Sequence, residues 1–127
     1  MNSLSNEATE DEEPQVVQHA ADAYEAVRSI NHLTYTTYPA PVVYRTLGNL
    51  KNVGHLLPQA LQQLGAGLTR SLSEYDVYED DGSDPAESVA LARAYLEEAA
   101  ALAGQVGELL EKAQGAINRQ GYRTDED

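Results

Sequence analysis

The residues of this chain that could do chemistry are few: three histidines, an adjacent pair of glutamates, an acid-rich turn and a cluster of tyrosines beside an arginine. His19, His32 and His55 are isolated, and none stands three or four residues from another, the spacing by which two imidazoles on one helix face share a metal ion. Glu97 and Glu98 are neighbours, so on a helix they diverge by about 100° and cannot act as a carboxylate pair. The turn resembles part of a calcium loop through Glu79, Asp81 and Gly82, but Val77 holds the first ligand position and Ser88 the twelfth, where an acid is required. There is no cysteine, hence no thiolate nucleophile, disulfide or Cys-ligated zinc. No Walker loop, dinucleotide fingerprint or nucleophile elbow occurs; the "GAG" at Gly65 to Gly67 lies within a leucine-patterned helix. The expectation is a protein without catalytic residues, cofactor or metal.

Recognition is the remaining chemistry. The stretch "TYTTYPAP", Thr34 to Pro41, is followed by "VVYR", which sets Tyr35, Tyr38, Tyr44 and Arg45 close in sequence. Tyrosine and arginine are enriched in interface hot spots, so these four are the candidate partner-binding residues. Pro39 and Pro41 bias Tyr38 and Ala40 toward extended backbone, which makes the stretch a stiff corner. Tyrosines that cover the end of a helical bundle, hydrogen-bonded to Asn31 or His32, are the alternative reading.

The elements that must hold this corner are helical. Val16, Val17, Ala20, Ala23, Tyr24, Val27 and Ile30 recur every three or four residues and predict a helix from Gln15 to about Asn31, with Pro14 at its first position. Val43, Leu47, Leu50, Gly54, Leu57, Leu61, Leu64, Leu68 and Leu72 continue the period. Pro58 interrupts them: it lacks an N–H and its ring crowds the Gly54 carbonyl, so a kink or break near Gly54–Pro58 is expected, giving two helices at about 42–54 and 58–74. In "DDGSDP", Asp84 is the N-cap, Pro85 the first helical residue and Glu87 the reciprocal residue of a capping box. The last helix, about 85–119, carries a seam of Val89, Ala92, Leu96, Ala99, Ala103, Val106, Leu110, Ala113 and Ile117. The predicted fold is all-α: an antiparallel helical hairpin or bundle of about four helices, one domain over residues 14–121, with disordered acidic tails at 1–13 and 122–127.

Charge narrows the functions further. The 127 residues carry a net charge of -13, and all eight aromatic residues are tyrosine. Ser73 to Ser88 hold seven acids and no base, whereas Leu33 to Leu72 hold Arg45, Lys51 and Arg70 and no acid. Three scattered bases are too few to hold a phosphate backbone against the surrounding acids, so direct nucleic-acid binding is disfavoured. No run is apolar enough to span a membrane, and the first residues lack a signal-peptide pattern, so a cytoplasmic protein is expected.

"NHLTYTTYPAPVVYRTLGNL" followed by "LLPQALQQL" resembles a family of short, acidic, helical proteins widespread in actinobacterial genomes and their integrative or phage-like elements. The resemblance rests on Asn31, His32, Thr34, Tyr38 and Pro39, on Leu47, Gly48 and Leu50, and on Leu57, Pro58, Gln59, Leu61 and Leu64, and extends loosely into the last helix. It implies an accessory protein of a mobile or regulatory locus and brings no established activity. Because the alanine-rich seam buries little area per residue, a homodimer that also binds another, unknown protein is expected. The alternative is an acidic regulator or decoy that occupies the nucleic-acid site of a DNA-handling protein.

Overall fold

The computed structural model describes residues 13–125; of the expected tails at 1–13 and 122–127, residues 1–12 and 126–127 lie outside them. Among the described residues there are three helices and no strand: α1 (Gln15–Leu33), α2 (Ala40–Glu74) and α3 (Pro85–Ala116). The all-α class is therefore as expected, but the number of helices is three and not about four. No helix of the described residues is long and apolar enough to cross a membrane. The chain divides after Tyr38 into two compact units.

The correction lies at Pro58, which is inside α2 and does not end it. The proline removes one amide hydrogen, leaving one carbonyl short of a partner at a cost of about 3 kcal/mol. Ending a helix and starting another leaves about four orphan N–H and four orphan C=O groups instead. Nothing in "GHLLP" could cap a new start, since the residues before Pro58 are leucines. The ring also finds room on α3, where a Cβ built on Gly104 would lie 3.9 Å from Pro58 Cγ. Continuity is the cheaper solution.

α1 begins after Pro14, whose carbonyl accepts from the Val17 and Gln18 amides. It closes at Thr34, whose amide donates to Ile30 O and whose hydroxyl donates to Asn31 O. Arg28 bonds Glu25 one turn back at 2.9 Å, both side chains well exposed. No residue of α1 is buried. Its apolar stripe, Val16 and Val27 included, is open to solvent.

α2 and α3 form an antiparallel hairpin that is the whole of the packed structure in the second unit. Its closest approach is backbone on backbone: a Cβ on Gly54 would fall 2.7 Å from Gly107 Cα. Gly54 and Gly65 on α2, and Ala100, Gly107 and Gln114 on α3, are the buried residues of these helices. On α3 the buried residues recur every seven, so the contact runs along 100, 107 and 114. Six residues of the expected seam, Val89, Ala92, Leu96, Ala103, Leu110 and Ile117, are half-buried; the other three, Ala99, Val106 and Ala113, are exposed. The helix is thus turned by roughly 50° from the expected register. It presents its smallest residues because the glycine of α2 lets the backbones approach that closely.

The turn between them is built from its own side chains. Gly82 sits at φ +82, a left-handed conformation that favours glycine. Asp81 accepts from the Ser83 hydroxyl and amide, and these hydrogen bonds hold its carboxyl below the ordinary aspartate value of 3.8. Asp84 caps α3 as expected, accepting from the Ala86 amide at 3.0 Å, with Glu87 the acid of the first turn.

Candidate interaction surface

The four residues singled out by sequence fall in different units, Tyr35 and Tyr38 before the division and Tyr44 and Arg45 after it. Tyr38 Oη donates to Leu33 O at 3.1 Å, satisfying a carbonyl left over at the end of α1. Tyr35 stands edge-on to His32 with ring centroids 6.4 Å apart and is 90% exposed. The corner therefore finishes a helix, and its tyrosines bond Leu33 and flank His32 without touching Asn31 through a hydroxyl. Tyr44 and Arg45 are consecutive exposed residues of α2, about 100° apart around it. His19, His32 and His55 gather no metal site: among the described residues no group of three or more potential ligands could hold an ion. Two acids of the turn are engaged locally, Asp81 by Ser83 and Glu79 by Ser88.

A different surface emerges from the packing of the hairpin. One flank of the α2–α3 contact is polar, and three hydrogen bonds cross there. Arg93 donates to Thr69 Oγ1 at 2.9 Å, His55 Nε2 meets Glu111 Oε1 at 3.3 Å, and Gln114 Nε2 donates to Tyr44 O at 3.0 Å. On α2, His55 and Thr69 stand roughly 60–100° to one side of Gly54; Val53, Leu57 and Leu64 stand as far to the other. On α3, Arg93 and Glu111 stand to the same polar side of Gly107, and Ala99 and Val106 roughly 80–100° to the opposite side. In an antiparallel pair those opposite sides coincide, so the hairpin has one polar and one apolar face.

The apolar face is largely uncovered. Val53, Leu57, Leu64 and Leu68 contribute from α2, with Leu64 52% exposed. Tyr95, Ala99, Leu102 and Val106 contribute from α3, with Val106 50% exposed. Near the turn, Leu64, Leu68 and Leu96 line one shallow groove with Gly67. Sequence reasoning missed this face because it assigned Leu57, Leu64, Leu68 and Val106 to the seam between the helices. The available signal was the surplus: Leu91, Tyr95, Leu102 and Leu109 are apolar residues of α3 that its seam did not use.

Burial inside the hairpin is correspondingly small. Among the described residues Ala100, 3% exposed, is the one buried hydrophobic side chain. Compared with protein-family models, curated proteins and solved structures, the chain matches none.

Proposed function

We propose that this chain is a non-enzymatic interaction module, a helical accessory or regulatory protein that self-associates through the apolar face of its hairpin and acts by binding another protein. The observation that carries it is the pairing of one buried hydrophobic residue with a continuous row of half-exposed leucines and valines on one face. Covering a half-exposed Leu or Val is worth about 1 kcal/mol. Six such residues on each of two copies supply on the order of 10 kcal/mol, within the range of roughly 4–15 kcal/mol that association costs before polar contacts are added. A second copy is the simplest partner, since a symmetric dimer covers both faces at once.

A cytoplasmic setting and the mobile-element context implied by the family resemblance complete the proposal, with Tyr38, Tyr44 and Arg45 the first residues to test for a second partner. The seven acids of the 73–88 turn favour one further reading, an acidic regulator or decoy of a DNA-handling protein. Light scattering across a wide concentration range tests self-association: a mass near twice 13.8 kDa is expected. Leu64→Glu should return the chain to monomer, and a wild-type chain that is monomeric throughout refutes the proposal.

A further inference from the structure

What the hairpin encloses is too little to hold it. The buried residues of α2 and α3 are three glycines, Ala100 and Gln114, so the fully buried apolar side-chain matter between these helices amounts to one methyl group. Nor does α2 stand by propensity, since it contains Pro58 and four glycines, Gly48, Gly54, Gly65 and Gly67, the residue types that form helix least readily. A helix of this composition persists through packing of its apolar face. The three hydrogen bonds across the polar side add modestly, each replacing bonds to water. The face that packing should cover is the open one. Counted at 100° per residue, no Asp, Glu, Lys or Arg of α2 or α3 falls in the arc roughly 40–140° from the glycine contact on that side.

Two properties of this face name its occupant. The partly exposed leucine, valine and tyrosine side chains that line it offer roughly 700 Å² of apolar surface, close to the 800 Å² or so that each partner buries in a stable interface of ordinary size. In a symmetric pair the same patch meets itself, so a charged residue within it would lie near its own copy; a face without one is what self-pairing requires. Obligate homodimer interfaces resemble a domain core cut in half, and this face has that composition. Resting on the self-association proposed above, we infer that a second copy is the missing half of the core: the hairpin has no folded monomer, and folding and pairing are one event. The amount of folded protein then follows the square of the concentration of free chains, which makes the structure itself a response to abundance.

The full chain, followed by circular dichroism and by sedimentation across a wide range of concentration, should lose most of its helical signal in step with its dimeric mass. Its melting midpoint should fall by about 3–5 °C for each tenfold dilution, the shift expected of a dimer of this size that melts to unfolded chains. A monomer that keeps the helical signal overturns the inference and leaves self-association intact, as does a dimer whose midpoint ignores concentration. A monomeric mass at every concentration removes both. Leu64→Glu separates lost pairing from damage inside the hairpin, because Leu64 is half-exposed and a folded monomer would tolerate glutamate there. The variant should lose the dimer and most of the helical signal together, with hydrogen-exchange protection around Ala100 falling roughly a hundredfold or more. Gln59→Glu places the same charge at an exposed position of α2 outside the face and should change neither. A Leu64→Glu monomer that keeps the protection at Ala100, or a Gln59→Glu chain damaged as severely, would also refute the coupling.

Discussion

Adding one methyl group at Gly54 probes the hairpin where it has least room. An alanine Cβ there would lie 2.7 Å from Gly107 Cα, 2.8 Å from Gly107 N and 3.2 Å from Ala103 O. Carbon atoms rest at about 3.5–4.0 Å, and all three obstacles are backbone, so the helices must move apart by roughly 1 Å. Overpacking costs about 1–3 kcal/mol, and with backbone as every obstacle the upper part of that range, about 2–3 kcal/mol, applies. Replacing glycine by alanine in a helix returns about 1 kcal/mol, which leaves a net loss of about 1–2 kcal/mol. For a domain of this size Gly54→Ala should therefore melt about 4–10 °C below wild type. Two other glycines calibrate the result, since Gly115 has nothing within 4 Å and Gly104 would meet only Pro58 Cγ at 3.9 Å. Gly115→Ala and Gly104→Ala should each melt slightly above wild type by the same propensity gain. Circular dichroism at one fixed protein concentration separates the three, concentration being held because association shifts the midpoint. A Gly54→Ala variant as stable as wild type, or a Gly104→Ala variant equally damaged, would refute the glycine crossing as the point of closest packing.

Asp84→Ala removes the side-chain acceptor for the Ala86 amide and should cost about 1 kcal/mol, read as faster hydrogen exchange at the first turn of α3. Ser83→Ala should raise the Asp81 titration midpoint toward 3.8, followed by carboxyl-carbon NMR. The sign follows from linkage: a carboxyl depressed in the folded state contributes stability above its ordinary value and loses it as pH falls through the depressed one, so the variant loses part of that contribution near neutral pH. Gln114→Ala deletes the buried donor to Tyr44 O and should lower the urea midpoint by an amount equivalent to about 1–2 kcal/mol.

Where the sequence spoke through local chemistry, structure and expectation agree. Asp84 followed by Pro85 starts α3 at the expected residue because capping is decided by adjacent atoms. The start of α1 at Gln15 was legible in the same way, although it continues to Leu33 where Asn31 was expected, Tyr38 and Thr34 satisfying its last carbonyls. Pro58 misled because its penalty is local while the alternative, two uncapped helix ends, is a property of the whole segment. The α3 register misled for a related reason. Hydropathy weights leucine and valine, whereas the Gly54–Gly107 approach selects small residues, and so Ala100 and Gly107 took the place of Val106. The apolar face was hidden in that error.

The three hydrogen bonds that cross the hairpin join residues 24, 56 and 70 positions apart in sequence, in order from the turn to the open end. Each is reached cheaply only after the one before it, because the loop left to close is then short. Loop closure therefore favours assembly as a zip whose first link is the turn capped by Asp84 and whose last is Gln114 on Tyr44. On that order, weakening the first should slow folding and weakening the last should mainly hasten unfolding, read by stopped-flow refolding and unfolding rates. On that order the stretch of α2 that carries Tyr44 and Arg45 should be the part of the hairpin that opens first, read by hydrogen exchange.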